Sequence, residues 1–138
     1  MPLLFSGGVR KGRLDLHKFV NLTSTQPAKL FGLFPKKGTI AVGSDADLAI
    51  WDPNQDVKIQ WKELHDNVGY SPYEGHHVRG WPVTVVSRGR VVVHENRLRA
   101  ERGSGKFIER TSLESARPAG RPSHTALLAR RFGADDVI

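Results

Sequence analysis

At 138 residues, 38% hydrophobic and 25% charged, the chain has the length of one soluble globular domain. A complete catalytic (β/α)8 barrel takes roughly 200 residues or more and is excluded. No apolar run reaches the ~20 residues of a membrane span, and the apolar start Met1-Pro2-Leu3-Leu4-Phe5 is too short for a signal peptide. With no cysteine there is neither a disulfide framework nor a thiolate metal site, which permits a reducing compartment; a cytoplasmic location is the expectation. The net charge of +7 is unevenly placed. Between residues 97 and 131, nine basic residues stand against three acidic ones and hold six of the seven net charges.

In chain order, residues 14–22 read as a helix with Leu16, Phe19, Val20 and Leu22 apolar and Asp15 as its N-cap. A second helix is predicted over residues 25–32. Thr25 caps it, Pro27 suits its first turn, and Gly32 closes it in a left-handed conformation. Leu33-Phe34-Pro35 then leaves the helical pattern. A strand over Leu48-Ala49-Ile50-Trp51-Asp52 is expected to end at Pro53, which cannot continue a ladder. Residues 56–60 alternate as a separate strand, with Val57 and Ile59 on one face. Residues 83–87 and 91–94 flank Arg88-Gly89-Arg90 as a hairpin, and a second turn at Glu95-Asn96-Arg97 leads to Leu98. Beyond Gly103-Ser104-Gly105 the composition changes. Residues 117–122 have the make-up of a linker, and Ser123 opens a final helix over residues 124–132 that Gly133 stops. The fold class read from this order is α+β: helices first, then a small, mainly antiparallel β unit, then a basic tail.

Several groupings invite a chemical reading, and each has a plainer one. Gly38, Gly43 and Ser44-Asp45-Ala46-Asp47 resemble a phosphate loop only in composition. No Gly-Lys-Ser/Thr follows, and the next element is a strand where a helix N-terminus is needed. Turn chemistry accounts for them. Asp45 and Asp47 alone supply too few oxygens for a calcium loop. His17, His65, His76, His77, His94 and His124 contain no H-x-H and no H-E-x-x-H. The adjacent His76 and His77, on a strand, face opposite ways. Ser71, Ser87 and Ser104 lack the elbow that exposes a catalytic serine. Tyr70 and Tyr73 with Glu74 could line a pocket. The favoured reading is a rigid connection whose tyrosines pack on a neighbouring surface and keep polar partners for their hydroxyls.

Three stretches carry a resemblance. Residues 19–32 (FVNLTSTQPAKLFG), Lys36-Lys37-Gly38-Thr39-Ile40-Ala41-Val42-Gly43-Ser44-Asp45-Ala46-Asp47-Leu48, and Tyr70-Ser71-Pro72-Tyr73-Glu74-Gly75 look like the C-terminal part of dihydropyrimidinases and D-hydantoinases, within the amidohydrolase superfamily. The resemblance covers residues 1 to about 110, and Gly69 stands where many relatives carry aspartate. It implies a division into residues 1–36 as the closing helices of a TIM-like barrel, 37–110 as part of a β-sandwich, and 111–138 as a basic linker with a possible C-terminal helix. Pro35 to Asn54 then becomes the hinge between barrel and sandwich. The activity implied is hydrolytic opening of a cyclic amide C–N bond by a metal-bound hydroxide.

The ligands of the implied two-zinc centre belong to barrel strands, so no catalytic, substrate-binding or metal-binding residue carries over to this chain and no cofactor is assigned to it. Residues 1–6 resemble an interior stretch of the family, so a fragmentary product, inactive alone, is expected. The other reading is a non-catalytic assembly or binding module whose basic tail engages an acidic partner or nucleic acid.

Without the barrel, apolar faces at Leu16, Phe19, Val20, Leu30 and Phe31, and at Leu48 and Ile50, are expected to lack cover. Self-association or a barrel-supplying chain is the expected consequence. The basic residues between 97 and 131 have no aromatic platform beside them, so only phosphate attraction remains. Polyanion binding should therefore be weak and indifferent to sequence. A titration with mixed-sequence DNA should lose about tenfold or more in affinity between roughly 50 and 200 mM salt; tight, sequence-selective binding at the higher salt would favour the binding module.

Overall fold

The computed structural model describes residues 1–111. It opens with a helix absent from the sequence reading: an α-helical turn, Pro2–Leu4, that widens into a π-helical stretch, Phe5–Val9 (together α1). Gly7 and Gly8 are poor helix formers, so local propensity hides this element. Pro2, at the first helical position, costs nothing there because its missing N–H would have had no partner.

The two predicted helices are one. Leu16–Val20, a π-helical stretch Asn21–Thr25, and Gln26–Leu30 run on as a single helix, α2. Asp15 caps it as expected, accepting from the Lys18 N–H at 2.6 Å. Thr25 is not a cap. Its backbone is helical (φ −67°, ψ −47°), and its hydroxyl donates to the Gly38 carbonyl at 2.8 Å. The sequence signal failed because Pro27 reads as a helix start. Here the wider π-helical turn just before it accommodates the ring and the missing donor, so the helix is not broken. Gly32 does close α2, at φ +68°. The Leu33 N–H reaches the Ala28 carbonyl (2.8 Å) and the Gly32 N–H reaches that of Lys29 (3.1 Å), the paired bonds of a Schellman cap.

The sheet is four-stranded and antiparallel, in the order β1-β2-β3-β4. β1 spans Leu48–Lys58 and so fuses the two strands predicted on either side of Pro53. Pro53 does not end it because the register slips between Asp52 and Asp56. The proline therefore sits in a bulge, where no ladder donor is required. A 3₁₀ turn, Trp61–Glu63, follows. β2 spans His77–Ser87 and β3 Arg90–His94. Between them Arg88 and Gly89 both have positive φ (48° and 77°), as a two-residue hairpin of type I′ requires. Glu95 and Asn96 repeat the device (48° and 58°) before β4, Arg97–Leu98. The described residues are thus α+β, with one sheet. The linker and final helix predicted after residue 111 lie outside the described residues.

The helices meet the sheet through three rings. Phe5 of α1 stacks on Trp51 of β1 with centroids 5.1 Å apart, and Phe19 of α2 meets both edge-on, at 5.4 and 5.7 Å. Phe5 and Phe19 are buried, with Ala28, Ile59 and Val78. Phe5 lies directly over Gly80 of β2, which has φ +98°; a Cβ there would fall 2.3 Å from the Phe5 ring. Beside this contact the Arg79 N–H donates to the Ser6 hydroxyl at 3.1 Å.

Removing the ring with Phe5→Ala should cost about 3–5 kcal/mol, a large share of a small domain's stability. Gly80→Ala adds a clash to backbone strain and should cost at least about 1–3 kcal/mol. Gly7→Ala, where nothing lies within 4 Å, is the control and should hold or raise the melting temperature. Thermal melts followed by circular dichroism check all three. A Gly80→Ala melt matching the parent would refute the packing described.

Candidate functional site

The segment from Pro35 to Asn54, the expected hinge, is a pinned connection from α2 into β1. It leaves α2 at Gly32 and doubles back, bringing Gly38 so near the helix that a Cβ on it would sit 2.4 Å from that of Ala28. Only glycine fits. The turn is held by the Ser44 hydroxyl donating to the Pro35 carbonyl (2.8 Å) and the Asp45 N–H donating to that of Lys36 (2.9 Å). Lys37 pairs with Asp45 at 2.9 Å and with Asp47. Asp47 in turn accepts from the Arg88 N–H at 2.7 Å, and the Gly89 N–H donates to the Ala46 carbonyl at 3.0 Å. The two aspartates are thus engaged by a lysine and, through Asp47, by a hairpin turn.

Burial alone would push the Lys37 ammonium down, but its hydrogen bonds to Asp47 and Asp45 outweigh this and raise it above 10.5. Burial likewise pushes the Asp47 carboxyl up. Lys37, the Arg88 N–H and the Ser87 hydroxyl outweigh it and hold the group below 3.8. Lys37 and Arg88 were not singled out from the sequence. A lysine ten residues before an aspartate was a faint signal, and the 41-residue separation of Asp47 from Arg88 gave none.

The Tyr70–Gly75 connection has a structural account. The Glu74 carboxylate accepts from the Trp61 N–H at 2.7 Å, satisfying the 3₁₀ turn's first donor. The Gly75 N–H donates to Ile59 and the Ile59 N–H to His76, both at 2.8 Å. Tyr70 and Tyr73 are 66% and 48% exposed, so the described residues cover neither of them fully. His76 meets the Tyr73 ring edge-on. His94 Nδ1 lies 2.9 Å from the Thr84 hydroxyl across the β2–β3 ladder. His17, His65 and His77 are exposed, and His124 lies outside the described residues. The Ser71 hydroxyl accepts from the Tyr73 N–H at 3.2 Å, and the Ser104 carbonyl accepts from the Arg88 guanidinium. Among the described residues no three histidines, aspartates or glutamates converge on a metal position, so the implied zinc centre finds no donor set there. What remains is a cleft of about 740 Å³ between α2, the hinge and the sheet, walled by Leu16, Phe19, Val20, Ile40, Leu48 and Trp51. Leu16, Val20 and Ile50 are about half exposed and Ile40 is 87% exposed. Phe19, expected to lack cover, is buried by Phe5 and Trp51 of its own chain.

Known proteins share this arrangement. The amidohydrolase family profile matches residues 2–92. The chain belongs to the amidohydrolase family. Within that family it is 52% identical over 103 residues to a D-hydantoinase from Ralstonia pickettii, a stretch that is 75% of this chain and 22% of the relative. It is 51% identical over 110 residues to a D-hydantoinase from Geobacillus stearothermophilus, covering 80% and 23%. Among solved amidohydrolase structures, a dihydropyrimidinase from Brevibacillus agri superposes with a TM-score of 0.78 at 48% identity, over 85% of this chain and 25% of that one. An L-hydantoinase from Arthrobacter aurescens does so at 0.76 and 43%, over 80% and 24%. The chain therefore spans about a quarter of the length of the relatives it matches. No helix among its described residues is long and apolar enough to cross a membrane.

The hinge pin gives a pH dependence with a defined sign. The Asp47 carboxyl is lowered in the fold, so the unfolded chain takes up the proton first as pH falls. Its stabilisation is complete above about pH 4 and is lost as pH drops through the folded value. Lys37, raised in the fold, contributes below its ordinary value and loses that contribution as pH rises through the folded one. Asp47→Asn should cost about 1 kcal/mol, a modest figure because the pair is partly open to screening water. The variant's melting temperature should fall less than the parent's between pH 5 and 3. Equal acid sensitivity in both would show that Asp47 is not the pin.

Proposed function

We propose that this chain is part of a hydantoinase-type hydrolase that opens cyclic amide C–N bonds, supplying the closing helices, hinge and flanking sheet and not the reacting groups. The observation that carries this reading is the 52% identity over 103 residues to a D-hydantoinase. The matched stretch is 75% of this chain, so the identity extends well beyond any single motif. The division into residues 1–36, 37–110 and 111–138, the remainder of a sandwich beyond this one sheet, and a cytoplasmic setting belong to the same proposal. The two-zinc centre would be supplied by residues outside this chain, and no chemical step is assigned to a side chain here. The partner is the barrel of the same kind of hydrolase, seated against the exposed residues around the apolar cleft. Without it, a second copy takes that place, and the basic residues add only weak attraction for polyanions.

A chimera tests the reading. In the Geobacillus stearothermophilus D-hydantoinase, the 110 matching residues are replaced by those of this chain. The expected product is soluble and hydrolyses hydantoin or dihydrouracil with added zinc. The chain alone, assayed in parallel, should show no turnover, retain no stoichiometric zinc after desalting, and grow in scattering mass with concentration. A folded chimera without activity, or turnover by the chain alone that survives repurification, would overturn the assignment.

A further inference from the structure

The chain leaves the end of α2 through the hinge and later returns to the same point. Thr111 donates both its N–H (2.9 Å) and its hydroxyl (3.1 Å) to the carbonyl of Gly32, 79 residues earlier. The approach is so close that a Cβ on Gly32 would fall 1.9 Å from the Thr111 carbonyl oxygen. Residues 99–111, which contain no helix or strand, are held at two further places. The Arg99 N–H donates to the Val92 carbonyl at 2.8 Å, and the Ser104 carbonyl accepts from the Arg88 guanidinium. Arg88 is also the residue whose N–H holds Asp47 of the hinge. One residue of the β2–β3 turn therefore grips both the segment leaving α2 and the segment coming back to it.

We infer that residues 99–111 are a strap, buckled at Thr111 and routed under Arg88, that locks the C-terminal end of α2 and the hinge to the sheet as one cooperative unit. Each anchor alone is a bond of ordinary strength at or near the surface. Their arrangement is what matters, because the hinge and the strap close a loop through Gly32 and Arg88. Freeing either end lengthens the unconstrained chain at the other. In the last turn of α2 Ala28 is buried, but Leu30 and Phe31 are both more than half exposed, and an end exposed in this way frays unless it is held. The strap thus decides whether this helix end stays formed, and it would release the hinge if it were cut or displaced.

Amide hydrogen exchange on the full chain tests this. The reporters are Phe31, Gly32 and Leu33, whose N–H groups bond within the helix end. Thr111→Pro, which removes both donors, should speed exchange at these three amides about tenfold or more. Arg88→Ala, which touches neither α2 nor Thr111, should speed the same three amides several-fold, while amides at Ile59 and Val78 stay protected in both variants. Unchanged exchange at the helix end in Arg88→Ala would show that the buckle is merely local and overturn the strap. So would Thr111→Pro leaving those amides at parent rates. If Thr111→Pro fails to fold, Thr111→Val, which keeps the N–H, should give an intermediate rise, and no rise there would count against the proposal.

Discussion

The structure depends on a place where a side chain is missing. Gly80 in β2 lets the Phe5 ring descend onto the sheet, and that descent puts Phe5 in reach of Trp51 and Phe19. Two helices with little sequence between them then share one aromatic contact with one strand. Ring pairs of this kind add about 0.5–1.5 kcal/mol each beyond their buried area, and three of them meet here. The remaining core is thin: among the described residues no side chain is completely enclosed. The helical part is joined to the sheet by this contact first and by the hinge second.

The hinge works differently, by charge and by backbone. Its glycines allow close approach, while Lys37, Asp45 and Asp47 set its direction. A hinge held by partly exposed ions is firm at neutral pH and contributes little to total stability. That suits a connection whose task is geometry.

What could be read from the sequence followed from how local each cause was. The Asp15 cap, the Gly32 stop and the hairpin at Arg88-Gly89 each act within a few residues, and each was legible. α1 was not, because its stability comes from Phe5 meeting Gly80 some 75 residues away and not from its own glycine-bearing turn. Thr25 and Pro53 were misread for a shared reason. Both carry signals that mark the boundary of an element, and in both cases the backbone went round the signal, by a π-helical turn in α2 and by a bulge in β1. Of the candidate site, the turn at Ser44-Asp45-Ala46-Asp47 was legible, because its bonds run between near neighbours in the chain. The roles of Lys37 and Glu74 were not, since the carboxylates that hold Lys37 and the Trp61 N–H that Glu74 accepts are brought near only by folding.

The bulge at Pro53 bears on the outer side of β1, the edge of the sheet that no described strand covers. An uninterrupted edge of this length would let an incoming strand slide by two residues at little cost, each position offering the same row of donors and acceptors. Pro53 has no N–H to offer, and the slips between Ile50 and Trp51 and between Asp52 and Asp56 break the row into short pieces. An incoming strand therefore meets no long regular run along this edge. The proline and the two slips deny the edge the uniform template on which fibres grow.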